Sequence, residues 1–283
     1  MNKQIRNIII VILFSVGGGW LGIWLNGVTG NTAPPLQSLG ALVWLTSPAL
    51  AGLFLRAFGG DGWREAGLWL HLRTGWRWYV LAIVAYPLVA LLMFGVAWLV
   101  GAIDAGGFAA QGFGAYATAA GLGIVGSLVK NIFEEFAWRG YLTERLAAVQ
   151  TPALLNHALV AVVWWAWHLP YYYYFLDAAV FESYLSTSVP LFLVIGLVVQ
   201  FPTALFFGEL RLVSRSVWPP VILHCFINGV SLPLILNGFI SLNGAAGVVL
   251  TPTNEGLVTA VLFGLIGWRL YQYRLQKEGH SKL

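Results

Sequence analysis

Two adjacent carboxylates, Glu134 and Glu135, stand in the run Val129-Lys130-Asn131-Ile132-Phe133-Glu134-Glu135-Phe136-Ala137-Trp138-Arg139-Gly140, inside a stretch that otherwise reads as membrane-spanning. An ionisable group in hydrocarbon is costly unless it is paired, solvated or neutralised, so it marks a functional site by default. Glu135 and Arg139 are four apart, in the favourable order for an intrahelical ion pair, whereas Glu134 projects about 100° away from Glu135. One carboxylate is then braced and the other is free to act as a general base or acid. His168, and His224 with Asn228, also lie in apolar runs. His224 and Asn228 are four apart, so both side chains share one helical face and two nitrogen-bearing groups point at one volume.

The elements that must position these residues follow from composition. Of 283 residues, 59% are hydrophobic and 9% are charged. Soluble domains carry roughly a quarter charged residues, so this chain belongs in a bilayer. At about 20 apolar residues per span, eight transmembrane helices are expected, near 7–26, 38–57, 78–101, 115–146, 155–175, 188–210, 217–240 and 254–274. The reading is an all-α polytopic membrane protein, one membrane-embedded domain over 1–283 with its core near 40–240 and no separate soluble domain. The first helix follows Lys3 and Arg6 but continues for a full span without a small-residue cleavage site, so it reads as retained.

Charge alternation tests the helix count. With the N-terminus inside, Lys3 and Arg6, then Arg56, Arg64, Arg73 and Arg77, then Arg145, then Arg211 and Arg215, then Arg269, Arg274, Lys277 and Lys282 all fall on the inner side. The expected outer segments, 27–37, 102–114, 176–187 and 241–253, contain no Lys or Arg. Both termini are therefore expected in the cytoplasm. The net charge of +4 is spread over these short segments, so topology rather than nucleic-acid binding explains it. At about 1.5 Å per residue, Glu134 lies about 18 Å from the cytoplasmic side, His168 about 17 to 20 Å and His224 about 11 Å, depths compatible with one site below the cytoplasmic surface.

The remaining features have plainer readings. The segment 59–73, rich in Trp, Leu and Arg, suits the membrane interface with its guanidiniums snorkelling outward. Tyr171 to Tyr174 read as an aromatic belt at the opposite surface, with a substrate-lining wall as the alternative. The lone Cys225 excludes an intramolecular disulfide and a cysteine metal cluster. Pro219-Pro220 fits a helix start. Asn237 and Glu209 read as packing or helix-end groups, and His71, His157 and His280 carry no assigned role. Structural readings compete at the chemical residues as well: Lys130 and Arg139 can neutralise Glu134 and Glu135 as a buried clamp, and a lone His168 or His224 is an ordinary interhelical hydrogen bond.

Glu134-Glu135-Phe136-Ala137-Trp138-Arg139 matches EExxxR, Trp164-Trp165-Ala166-Trp167-His168 resembles FxxxH with Trp in place of Phe, and His224-Cys225-Phe226-Ile227-Asn228 matches HxxxN. Three such motifs in order on three expected helices resemble the CAAX prenyl protease and bacteriocin-processing (CPBP, or Abi) family of intramembrane proteases, over about 40–240 and including Gly62-Trp63-Arg64-Glu65-Ala66-Gly67-Leu68. The resemblance implies that Glu134 and His168 activate a water against a peptide carbonyl while His224 and Asn228 stabilise the oxyanion. Glu135 and Arg139 would support them. Donors fixed on rigid helices suit that task, and Trp164 is expected to alter packing more than chemistry. The implied partners are the bilayer and a membrane-associated peptide, either a prenylated CAAX tail or a bacteriocin-like leader, cut at a site open toward the cytoplasm in a multi-pass protein of a prokaryotic plasma membrane.

The family resemblance implies no cofactor. The rival is zinc, because Glu134, His168 and His224 match a catalytic set that leaves one position open for water, although HExxH spacing is absent. A different class also stays open: the same polar cluster could line the path of a small-substrate transporter or belong to a non-catalytic membrane chaperone or immunity protein. Against the transporter stands the lack of an inverted repeat or of paired broken helices.

Overall fold

The computed structural model describes residues 2–177, 188–253 and 256–280. Most of the expected outer segment 176–187 and the inner-side Lys282 lie outside the described residues, as does the side chain of His280. The long apolar runs form helices α1 (Lys3–Val28), α2 (Leu39–Ala57) and α3 (Leu72–Leu99), followed by a short α4 (Gly106–Gln111). The fourth expected span is a chain of pieces: α5 (Phe113–Gly126), α6 (Leu128–Glu135), a π-helical segment Phe136–Leu142, and α7 (Thr143–Ala148). Then come α8 (Ala153–Pro170) with a π-helical extension Tyr171–Phe175, α9 (Val189–Ser214), α10 (Trp218–Leu236), a short α11 (Gly244–Leu250) and α12 (Leu257–His280). Side-chain caps start two of them: Asn2 accepts from Gln4 N and Ser38 accepts from Ala41 N. Pro219 and Pro220 open α10, as their missing N–H groups allow.

The protein is an all-α polytopic membrane protein, with two antiparallel two-residue strands, β1 (Ile103–Asp104) and β2 (Ser241–Leu242), tying loops at one end. By length and composition α1, α2, α3, α9 and α10 suit a membrane span, and the α5–α7 pair bent by 45° makes a sixth. The expected count of eight is thus not reached by this measure. α8 carries Asn156, His157 and His168, and α12 ends in Arg269, Arg274 and Lys277, which lowers the hydropathy of both.

Close backbone approach, the usual device between helices in lipid, fixes two pairs that matter here. α1 meets α2 where Gly22 and Gly40 face each other with no room for a Cβ on either. α5 meets α10 at Gly123 and Gly229, where a Cβ on Gly123 would lie 3.0 Å from the Gly229 Cα. Between them sits an aromatic core of Trp44, Trp138, Trp164 and Trp167. A second core packs α3, α9, α10 and α12 around Tyr86, Phe206, Phe207 and Phe263.

The segment 58–71 is not a helix. Trp63, Arg64 and Trp69 are exposed as expected for an interfacial segment, but Ala66 is buried and the main chain is pinned inward. Val217 N donates to Gly67 O at 2.9 Å, Trp218 Nε1 to Leu68 O at 2.8 Å, and Arg211 Nη2 to Glu65 O at 2.8 Å. This end of the bundle is closed by a polar layer: Arg145 pairs with Glu65, Arg211 with Glu144 at 2.8 Å, and Arg56 donates to the carbonyls of Gly62 and Gly140.

Candidate active site

α6 ends at Glu135 and the chain continues directly as a π-helical turn. A π-turn widens the helix and misaligns its carbonyls, and such turns concentrate at functional sites. Here Thr143 Oγ1 donates to Trp138 O, five residues back, at 2.8 Å, and the Gly140 carbonyl is taken by Arg56 Nη2 at 2.5 Å. The second π-turn follows His168 by three residues. α8 is held beside it by a reciprocal bond: Trp44 Nε1 donates to Trp167 O at 2.8 Å, Trp167 Nε1 returns to Trp44 O at 3.0 Å, and their rings stack at 4.4 Å. His168 is therefore carried on a clamped helix.

Both carboxylates are buried and both are occupied. Glu134 Oε1 lies 2.5 Å from Lys130 Nζ, and Glu134 Oε2 accepts from Trp164 Nε1 at 3.2 Å. Glu135 Oε1 takes Arg139 Nη1 at 3.1 Å and His224 Nδ1 at 2.8 Å. One expectation changes: Glu134 is not free, and the histidine that meets Glu135 is His224. Arg139, wholly buried, also stacks 4.1 Å over the Trp164 ring and 4.5 Å over Phe207, while its Nε and Nη2 have no hydrogen-bond partner. Glu135 Oε2 is likewise unpartnered.

The histidine tautomers follow from their partners, since a carbonyl or carboxylate oxygen can only accept. His168 Nδ1 faces Trp164 O at 2.9 Å, so it carries the proton and Nε2 presents a lone pair. His224 Nδ1 donates to Glu135. Asn228 Nδ2 donates to Asn131 Oδ1 at 3.0 Å, and Asn131 Nδ2 reaches Cys225 Sγ at 3.4 Å. This bridge fixes the Asn228 amide and keeps its second N–H available.

His168, His224, Asn228, Lys130 and Trp164 line one cavity of about 330 Å³. A second, of about 670 Å³ between α5 and α10, shares Lys130, Asn228 and Leu232 with it. The first cavity also touches Leu36, Leu242, Thr251 and Thr253, residues of the loops at the end away from the polar layer.

A family model described as Type II CAAX prenyl endopeptidase Rce1-like matches residues 116–230. Over that stretch the chain is similar to the CAAX protease family. The matched stretch runs from α5 into α10 and contains all three CAAX protease motifs with Glu134, Glu135, Arg139, His168, His224 and Asn228. The similarity supports a membrane-embedded protease of the CAAX endopeptidase type in general. No curated protein matches it.

Measured against the CAAX protease motifs, three participants were not expected. Asn131 is wholly buried and positions Asn228, four residues ahead of Glu135 on the same helix; its place in an EExxxR-bearing helix was the available signal. Trp164 replaces Phe and supplies Glu134 with a donor that Phe lacks, so the change is chemical as well as steric. Gln200, on α9, lines the cavity with its Nε2 buried and unpartnered. The tyrosines divide: Tyr171 stacks on Trp44 at 5.1 Å and Tyr172 on His168 at 5.8 Å, both lining the cavity, while Tyr173 is exposed. Among the described residues no three His, Cys, Asp or Glu side chains group as metal ligands.

Proposed function

We propose that the protein is a glutamate-type intramembrane endopeptidase acting on a membrane-associated peptide. The observation that carries this reading is the gathering of His168, His224 and Asn228 around one cavity, with Glu134 bonded to two of its lining residues, Lys130 and Trp164. In the proposed reaction a water held between Glu134 and the His168 Nε2 lone pair attacks the scissile carbonyl. Glu134 takes the water's proton as the new C–O bond forms and the carbonyl π pair moves onto oxygen; collapse of that oxyanion then breaks the C–N bond as Glu134 passes the proton to the leaving amine. The second N–H of Asn228 and the Nε2–H of a protonated His224 receive the oxyanion.

Glu135 orients the His224 ring by accepting from Nδ1, and Arg139 balances the carboxylate. For water to reach Glu134 Oε1, Lys130 swings aside; its side chain is 38% exposed, so it has room to do so. The wall of Trp44, Trp167, Tyr171, Tyr172 and Phe192 suits apolar side chains. The test is cleavage of fluorogenic membrane peptides, prenylated and unprenylated, by the purified protein in proteoliposomes. Glu134→Gln is expected to abolish cleavage while retaining the fold by circular dichroism. Retention of cleavage by that variant would remove the proposed base.

A further inference from the structure

The cavity that gathers His168, His224 and Asn228 is walled mostly by rings and aliphatic chains, and the polar groups of the proposed site are largely committed. Lys130 meets Glu134, His168 Nδ1 the Trp164 carbonyl, His224 Nδ1 the Glu135 carboxylate, and one Asn228 N–H the Asn131 oxygen. Gln200 on α9 is different. Its Nε2 is buried without a hydrogen-bond partner, and among the described residues it is the one side chain of that kind that borders this cavity. Withholding an amide N–H from water without a partner is costly, and a ligand that brings an acceptor removes that cost.

Its place is fixed by the packing of α9 on the helix that carries His168. Trp165 Nε1 donates to Leu193 O at 3.1 Å, while His157, earlier on α8, lies 2.8 Å from Glu209, later on α9. The two helices therefore run antiparallel, and Gln200 lies between the two contacts. Thr203 follows on the same face of α9 and lines the cavity as well. Its hydroxyl proton goes to Val199 O at 2.9 Å, which leaves Oγ1 lone pairs to offer. An uncommitted donor and an uncommitted acceptor thus stand a turn apart at the cavity wall.

That pair matches the main chain of a peptide. A residue in an extended strand turns its N–H and C=O to the same side, and both need partners where water is absent. A segment drawn out of its helix for cleavage presents such groups, and walls of aliphatic and phenyl side chains cannot satisfy them. The apolar side chains of a substrate suit the rings of this cavity; its backbone needs the amide.

We propose that Gln200 binds the substrate main chain: its amide, with the Thr203 hydroxyl beside it, pairs with one extended residue near the scissile bond and sets the register in which the peptide meets Glu134 and His168. The register half rests on the protease reading above; the pairing is a matter of binding alone. Gln200→Met, which keeps the length of the side chain and removes both hydrogen-bonding groups, is placed in the full chain carrying Glu134→Gln. Binding is measured by fluorescence in proteoliposomes with the prenylated fluorogenic peptide. The measurement is repeated with one backbone amide at a time replaced by an ester, which removes an N–H and weakens the adjoining C=O as an acceptor.

Gln200→Met is expected to bind the peptide about three- to tenfold more weakly, as the loss of a neutral hydrogen bond or two gives, while its melting temperature in detergent is no lower than its parent's, because an unpaired buried amide has been removed. One ester position is expected to weaken binding to the parent by a similar factor and to have no further effect on Gln200→Met. Unchanged binding, no binding to the parent, a fall in melting temperature alongside the weaker binding, or ester effects that add to that of Gln200→Met at every position each overturns the proposal. With Glu134 restored, Gln200→Met is expected to spread cleavage over neighbouring bonds, read by mass spectrometry; cleavage confined to one bond overturns the register half. If binding follows the expected pattern and the wild type cuts no peptide, the protease reading fails and the pairing stands.

Discussion

Two buried groups in this protein have the same three residue types and opposite chemistry. Glu135 meets Arg139 and His224; Glu209 meets Arg274 and His157. Both carboxylates are wholly buried. At Glu209 the pairing is bidentate: Arg274 Nε donates to Oε2 at 2.8 Å and Nη2 to Oε1 at 2.9 Å, with His157 Nε2 2.8 Å from Oε1. Both oxygens are used, and the group joins α8, α9 and α12. At Glu135 the arginine and the histidine share one oxygen, the other is unpartnered, and two guanidinium nitrogens face aromatic rings instead of acceptors. A carboxylate with both oxygens engaged has no lone pair in reserve for a ligand and serves to join helices. An unsaturated one beside a cavity holds His224 in a chosen orientation with capacity in reserve. Residue types alone do not separate the two; the count of occupied lone pairs does.

Removing the carboxylates gives the largest expected effect. Glu135→Ala leaves the wholly buried Arg139 without its carboxylate, a loss of about 3–5 kcal/mol, whereas after Glu209→Ala the half-buried Arg274 keeps Glu278 and the loss is smaller; both are measurable as a fall in thermal stability in detergent. Loss of turnover per folded molecule in the Glu135 variant alone is the expected signature. The histidines come next. His224→Ala is expected to lower turnover about a hundredfold or more, as removal of an oxyanion donor does. His157→Ala is expected to leave turnover per folded molecule unchanged and cost about 1–3 kcal/mol in stability. Comparable losses of turnover from both histidine variants would erase the distinction. Arg274→Lys, which replaces the planar fork with a point charge, is expected to lower the melting temperature without moving KM; a change in KM would tie the Glu209 group to the substrate cavity.

How far this contrast can be read without coordinates depends on spacing. The Glu135–Arg139 pair is four apart on one helix, and His224 with Asn228 repeats that spacing, so both were legible. Helix order was legible too, because apolar runs of span length leave few alternatives, but the breaks that divide the fourth expected span were not. The link from Glu135 to His224 crosses 89 positions and that from Glu209 to Arg274 crosses 65, and no periodicity reports such contacts. His157 therefore looked idle, and Glu134 looked free because Lys130 and Trp164 were weighed as a counter-ion and as packing rather than as two bonds to one carboxylate.

The smallest expected effect tests whether Glu134 shares the partly open character of Glu135. Trp164→Phe restores the aromatic residue of the family motif and keeps a ring under Arg139, but deletes the indole N–H that reaches Glu134 Oε2 at 3.2 Å. The bond is long for a charge-assisted one, and one lost hydrogen bond to a charged group costs about 1.5–3 kcal/mol. If that bond holds Glu134 in the geometry for proton transfer, the loss falls on kcat with KM unchanged, because the peptide walls of Trp44, Tyr171 and Tyr172 remain. If instead the indole restrains Glu134 against water, Trp164→Phe raises kcat, and Lys130→Met, which removes the partner on the other oxygen, raises it further. Steady-state kinetics on the two single variants and their combination decide between these signs, and coupling between the two would show that both oxygens of Glu134 are governed together.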